Sequence, residues 1–285
     1  MQKHLLLLLS LVLISGCLGG SNVQKAAVGV SETKDNPDVY LKIESVPSEV
    51  DVGRTLNLIF TMQNKQNKEI ANVRTTAFDQ CLFSGDVEEE IANLRPNRTE
   101  RWSWKWTAGQ TQFNRECTLK FRTEYENNFT LSQDIIVLKE SEFLNRELQG
   151  TLDELTPISS ASNNPLVITV GFSEEQPFLE NDLVLMQIEY SNVGNGFIDK
   201  INSGDITIKI PTNLNFVECG TAYNYDSSTK TMALAKTLTF INNRAPTSSC
   251  RFNTTAQQPI DIKPLTLNAK YKYSFDNSII VKVNI

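Results

Sequence analysis

Apolar and polar residues alternate with a period of two over much of the chain, which predicts half-buried β-strands. One alternating segment begins at Leu56 and ends at Asn64, in the sequence LNLIFTMQN. The same pattern returns 128 residues later between Val184 and Asn192. This correspondence predicts that the chain contains two copies of one β-rich unit.

Ten further segments complete the predicted strand set. They are 39–43, 73–78, 100–106, 118–125 and 131–138 in the first half, and 166–171, 205–210, 231–241, 265–273 and 278–284 in the second. The polar run from Ser274 to Asn277 predicts a hairpin turn between the last two. Leucines at helical spacing between Glu140 and Leu155, interrupted by Gly150, favour either a short helix or an irregular linker.

A turn-rich, Pro-containing stretch at 156–165 separates the halves, each long enough for a domain of about 100 residues. The predicted fold class is therefore all-β, with two tandem immunoglobulin-like β-sandwiches. The first would cover 38–140 and the second 165–285, joined by a linker at 141–164. Residues 17–37, rich in Gly, Ser, Asn and charge, predict a flexible tether before the first sandwich.

The first 16 residues have the pattern of a signal peptide, with Lys3 followed by a short apolar run. The run is about half the length needed to span a bilayer. Its end, Ile14-Ser15-Gly16-Cys17, resembles the lipobox of prokaryotic lipoproteins. That resemblance implies cleavage before Cys17, lipidation of its thiol, and attachment to the extracytoplasmic face of the cell membrane. An ordinary cleaved signal peptide is the alternative.

The other cysteines also indicate export. Cys81 and Cys117 lie in the first half and Cys219 and Cys250 in the second, so we predict one disulfide in each half. Disulfides of this kind persist in oxidising compartments. The net charge of −6 argues against nucleic-acid binding, which relies on basic surfaces.

Residues suited to catalysis are scarce. The single histidine, His4, lies in the predicted signal peptide, so the mature chain would lack a histidine base or ligand. We predict no enzyme activity, no cofactor and no metal site. Paired carboxylates in the acidic run 86–90 are an alternative catalytic or calcium site, and carboxylates at 174–182 an alternative calcium site, but neither run has a recognised spacing.

All three tryptophans alternate in one strand candidate, RWSWKW, as Trp102, Trp104 and Trp106. We predict that this stripe is mainly core, with Trp106 as the best candidate for partial exposure. The alternative is a stacking platform for a ligand. Asn97, Asn128 and Asn253 head Asn-x-Ser/Thr triplets and are candidate glycosylation sites, with Asn128 expected in a loop.

The segments NVGNG and LRPNRTERWSWKWTA resemble parts of the repeated β-sandwich modules of archaeal and bacterial surface proteins, similar to CARDB-type and other immunoglobulin-like domains. This resemblance implies a scaffold for adhesion, spacing or assembly. The predicted function is a non-catalytic, lipid-anchored surface protein that contacts an envelope protein or surface polymer. A carbohydrate-binding accessory protein that uses the tryptophan stripe is the alternative.

Overall fold

A computed structural model describes residues 28–32, 36 and 38–285. The predicted signal peptide and Cys17 lie outside the described residues. Over these residues the fold is all-β, with one α-helix. Strands of the first half are β1 Gly29–Glu32, β2 Val39–Val46, β3 Glu49–Asp51, β4 Thr55–Asn64, β5 Ile70–Asp79, β6 Phe83–Gly85, β7 Glu88–Leu94, β8 Thr99–Ala108 and β9 Arg115–Leu138.

The second half begins after α1 Glu140–Gln149 and a 3₁₀ turn at Leu152–Glu154. Its strands are β10 Ser159–Ala161, β11 Leu166–Phe172, β12 Phe178–Leu179, β13 Leu183–Asn192, β14 Lys200–Ile201, β15 Ile206–Lys209, β16 Leu214–Glu218, β17 Tyr223–Asp226, β18 Thr231–Leu234, β19 Leu238–Thr239, β20 Arg244–Thr254 and β21 Ile260–Asn284.

Three sheets build the body of the molecule, beside a small β14–β19 pair. The first cover sheet has the order β1-β2-β4-β8-β6, and the second cover sheet the order β11-β13-β20-β16. The shared sheet has ten strands, seven of them in the order β17-β18-β15-β21-β9-β5-β7. Strands β3, β10 and β12 pair with its two central strands.

The two central strands are the longest elements of the fold. β9 has 24 residues and β21 has 25, and they pair antiparallel from Arg115↔Val283 to Leu138↔Ile260. The predicted hairpin turn at 274–277 is therefore wrong, and the strand candidates on either side of it are one strand. The candidates 118–125 and 131–138 are likewise one strand.

Each cover sheet packs against one half of the shared sheet. In the first half, Phe60 of β4 meets Phe121 of β9 with ring centroids 5.3 Å apart. In the second half, Phe216 of β16 stacks on Tyr225 of β17 at 4.2 Å. We call the first cover sheet together with its half of the shared sheet the first unit, and the second cover sheet with the other half the second unit. Their buried side chains form one continuous apolar cluster, in a layered arrangement compatible with immunoglobulin-like sandwiches.

The predicted duplication is visible in the strand pairing. β4 lies between β2 and β8, and β13 holds the same place between β11 and β20. The equivalence extends to short strands: β3 pairs parallel with the end of β21, and β12 pairs parallel with the end of β9. The two copies are therefore related by an approximate two-fold axis through the middle of the β9–β21 ladder.

The buried asparagines Asn64 and Asn192, which end β4 and β13, repeat one hydrogen-bonding pattern. Each side-chain oxygen accepts from the backbone N–H two residues later, at Gln66 and at Gly194. Each side-chain amide donates to the carbonyl four residues later, at Lys68 and at Gly196, over 2.8 Å. The Asn-rich turns noted in the sequence are thus the same turn built twice.

The duplicated units exchange their longest strands. Residues 275–283 of β21 pair with 115–123 of β9 and complete the first unit, although they belong to the second half of the sequence. Residues 131–138 of β9 pair with 260–267 of β21 in the second unit. The linker separates the two copies along the sequence, but each long strand runs through both units.

Two local predictions have clear outcomes. The linker contains a true helix, α1, which ends at Gly150 in the left-handed conformation with φ 67°. Within the predicted tether, Gly29–Glu32 form β1 and pair with β2, so this part is not free chain. No helix in the described ranges is both long and apolar enough to cross a membrane.

Candidate functional site

The tryptophan stripe lies on β8 in the first cover sheet. Trp104 and Trp106 are fully buried, at 2% and 0% exposure, with ring centroids 6.0 and 5.8 Å from that of Phe121. Their alternate neighbours Arg101, Ser103 and Lys105 are exposed on the opposite face, as expected for a strand. Two of the three rings are therefore core side chains.

The expectation that Trp106 is the partly exposed ring is wrong. Short strand β6 covers it: Phe83 packs at 6.3 Å, and the indole N–H donates to the carbonyl of Asp86 over 2.6 Å. The half-buried ring is Trp102, which stacks on Phe60 at 5.2 Å. The stripe therefore presents only part of one ring to solvent, too little for a multi-ring stacking platform.

The cysteines pair as expected from their distribution. Cys81 is bonded to Cys117 and Cys219 to Cys250, one disulfide in each half. The first ties the turn after β5 to β9, and the second ties the segment after β16 to β20. Two disulfides indicate an oxidising, extracytoplasmic environment.

The candidate glycosylation residues are all exposed. Asn97 lies in the turn between β7 and β8 with φ 54°. Asn253 lies within β20. Asn128 lies inside β9, so its expected loop position is wrong.

The acidic run is part of a charged sheet edge. Glu88 and Glu90 lie on edge strand β7, where both pair with Arg74, at 2.6 and 3.6 Å. Within the described ranges, His, Cys, Asp and Glu form no group of three or more that could hold a metal ion. These carboxylates act as ion-pair partners along an exposed edge, where such pairs contribute little to stability.

A groove of about 860 Å³, lined mostly by residues with neutral polar side chains, opens where the two units meet. We call it the junction groove. Its walls come from the turn after β4, the middle of β9, the segment 160–164 and β21. Side chains that represent these walls are Asn67, Lys68, Asn128, Thr130, Ser162 and Asn268.

The junction groove lies at a gap in the shared sheet. Along one edge of β9, strand β5 pairs only as far as Glu126, and β10 begins to pair at Leu131. Between these points the backbone of β9 is hydrogen-bonded to side chains and not to a neighbouring strand. The carbonyl of Asn128 accepts from the Lys68 ammonium and the Asn164 amide, and the N–H of Thr130 donates to the Ser162 hydroxyl.

A buried carboxyl group, Asp38, lies close to this gap at 0% exposure. It accepts hydrogen bonds from the Tyr125 hydroxyl at 3.0 Å and the Asn127 amide at 2.6 Å, and from the Gln66 amide. Burial raises the pKa of Asp38 to about 6, although these donors and the nearby Lys68 charge oppose the rise. The burial of the Lys68 ammonium lowers its own pKa.

Two asparagines at the junction, one from each half of the chain, each hydrogen-bond to a tyrosine of a long strand. Asn36 accepts from the Tyr125 hydroxyl at 3.4 Å, and the Asn164 amide donates to the Tyr271 hydroxyl at 3.1 Å. Both asparagines precede a proline, and both contacts lie at the junction. The repeated Asn-Pro was the sequence signal that could have located this region.

The CARDB-type resemblance is supported only at the level of an all-β, sheet-rich architecture compatible with an immunoglobulin-like sandwich. No known family model matches the chain, and neither does any curated protein.

Proposed function

We propose that this chain is a non-catalytic protein of the cell surface, held by a lipid on Cys17 at the extracytoplasmic face of the membrane. The observation that carries the proposal is the presence of a disulfide in each unit. Such bonds are kept outside the reducing cytosol. The lipobox-like sequence that ends at Cys17 supplies the means of attachment.

The role we propose is structural, adhesive or assembly-related, through contact with an envelope protein or surface polymer. A ladder of 24 residues has a contour length of roughly 80 Å at 3.3 Å per residue. The apolar core holds both units on this ladder, the first disulfide ties the turn after β5 to β9, and the second closes the second cover sheet. A stiff body of this length suits a spacer or scaffold. The tryptophan stripe, being mostly core, favours this role over binding through that stripe.

The Cys17→Ser variant tests the anchor. We expect it to move from the membrane fraction to the soluble fraction or the medium, because the lipid would be its only attachment. Ser21→Ala, just outside the lipobox-like sequence, is the control and should stay with the membrane. Retention of processed Cys17→Ser on membranes after a high-salt wash would contradict lipid anchoring.

A further inference from the structure

The junction groove has the chemistry of a ligand site, and we infer that it binds a saccharide. The inference extends the proposed surface role by naming the chemical class of the polymer partner. The inference depends on the proposed function only for the source of the saccharide. The binding site itself consists of residues that the structure describes.

Most of the residues that line the groove have neutral amide or hydroxyl side chains, which both donate and accept hydrogen bonds, and Leu131, Ala161 and Leu267 add apolar surface. Amides and hydroxyls reach it from four separate segments, represented by Asn67, Asn128, Ser162 and Asn268. Among the described residues, its lining includes no carboxylate and no aromatic ring. A saccharide presents hydroxyls that also both donate and accept, so it can satisfy such walls from either side.

Other ligand classes fit less well. A peptide strand would need free backbone groups on β9, but those of Asn128 and Thr130 are already bonded to side chains. An anion would find described cations on one wall only, at Lys65 and Lys68 of the turn after β4, where each also donates to a backbone carbonyl, at Asn36 and Asn128. A metal ion would need carboxylates, and none lies among the lining residues that the structure describes.

Buried amides support the groove from below. Gln66 and Asn164 line it and are 9% and 2% exposed. Each holds the groove in shape through a donated hydrogen bond, Gln66 to Asp38 and Asn164 to Tyr271. Their side-chain oxygens have no protein partner in the described part of the chain. Small shifts on binding would let these oxygens accept from ligand hydroxyls.

The saccharide could be a free polymer or a glycan attached to the chain itself. Asn128 lines the groove, is exposed, and heads the triplet Asn128-Phe129-Thr130. A glycan on this residue would begin inside the groove. Both sources share one chemistry, and the experiment separates them.

The test is affinity electrophoresis of the detergent-solubilised full chain in gels that contain one of the neutral polysaccharides laminarin, α-mannan or glycol chitin. We expect retardation in at least one gel. The double variant Asn67→Ala/Asn268→Ala should weaken it at least about tenfold, which corresponds to about 1.4 kcal/mol of lost hydrogen bonding. The matched control is Asn57→Ala/Asn215→Ala, which removes two exposed strand asparagines outside the groove and should leave retardation unchanged.

Protein from hosts with and without asparagine glycosylation separates the two sources. Retardation in both preparations supports a free polymer. Retardation only without glycosylation, with added mass on Asn128 in the other preparation, supports the attached glycan. The inference is overturned if no gel retards either preparation, or if the Asn67→Ala/Asn268→Ala variant is retarded as strongly as the control. Neither result would bear on the Cys17→Ser fractionation.

Discussion

Trp104 lies where the first cover sheet meets the shared sheet, against Phe60 at 4.6 Å and Phe121 at 6.0 Å. Its ring is therefore part of the contact that holds the two layers together. Aromatic rings in such positions contribute both buried area and specific ring geometry. The stability of the first unit should depend strongly on this side chain.

Trp104→Ala should lower the free energy of unfolding by about 3–5 kcal/mol, because it leaves a large cavity between the layers. Trp104→Phe keeps a ring and should lose much less. Trp102→Ala, at the half-buried end of the stripe, is the matched control with an intermediate loss. Urea unfolding followed by circular dichroism measures all three, and a loss within about 0.5 kcal/mol for Trp104→Ala would contradict its core role.

Asp38 makes the stability depend on pH. Its pKa is about 6 in the folded protein against an ordinary value of 3.8, so the folded protein binds this proton more tightly than the unfolded chain does. The stabilisation from this group is complete below about pH 4 and is lost as the pH rises through about 6. The difference of about two pKa units corresponds to roughly 3 kcal/mol.

Asp38→Asn should remove this dependence. The free energy of unfolding of the variant, relative to the native chain, should rise by roughly 3 kcal/mol between pH 4 and pH 7. Asp226→Asn is the control. Hydrogen bonds from Ser228 and Thr229 lower the pKa of Asp226, so its stabilisation is present above its ordinary pKa and is lost as the pH falls. Equal slopes for native chain and Asp38→Asn would show that the carboxyl is not perturbed.

At the scale of single elements, the turn after β13 depends on close packing against β21. The N–H of Gly196 donates to the Tyr273 hydroxyl, and its Cα lies so close to β21 that an added Cβ would be 2.8 Å from the Tyr273 ring. It would lie still closer to the carbonyl of Ser274. The second glycine of NVGNG, Gly196, is therefore required because there is no space for a side chain.

Gly196→Ala should cost about 1–3 kcal/mol, because strand or turn must move to relieve the overlap. Gly171→Ala in β11 is the control, since nothing lies within 4 Å of a Cβ there. Thermal unfolding of the two variants should differ by several degrees. Equal melting temperatures would show that the turn can shift freely.

Most strand positions were predictable because their alternation depends only on which face of a strand is buried. The long strands were not. Ser274-Phe275-Asp276-Asn277 has the composition of a turn, yet Asp276 projects from β21 and receives two hydrogen bonds from Arg122 of β9, at 2.8 and 2.9 Å. On the open face of a sheet, polar residues pair across strands instead of ending them.

The junction groove could not be predicted for a related reason. Its parts are the Asn-rich turn after β4 and the Ser/Asn-rich stretch at 159–164, which were interpreted separately as a turn and a linker. Only the exchange of long strands brings them to one gap in the shared sheet. Local composition indicates polar, exposed residues, but it does not show which distant segments converge.

At the scale of the whole molecule, exchange joins the stability of the two units. Val281 is fully buried and pairs with Cys117, so a residue near position 281 supports the unit that contains all three tryptophans. The shared core also favours one cooperative unfolding transition over two. Independent tandem domains would instead give two separate unfolding transitions.

Val281→Asp should lower the free energy of unfolding by about 3 kcal/mol or more, because it buries a carboxylate in the apolar core. The urea midpoint of the tryptophan fluorescence transition should fall accordingly. Ile280→Asp places the same group on the adjacent, 56% exposed position and should have little effect. If Val281→Asp left the tryptophan transition unchanged, the first unit would be closed without β21, and the exchange would be wrong.

Exchange also sets the order in which the molecule can mature. Residues 115–123 cannot pair with 275–283 until that segment has been synthesised, so the first unit lacks its full sheet until then. At synthesis rates of about 5–20 residues per second, this delay is roughly 10–30 s. During that time the nascent chain has no closed N-terminal domain. A chain that must be threaded across a membrane before it folds gains from this delay, because its first unit cannot close early enough to obstruct its passage.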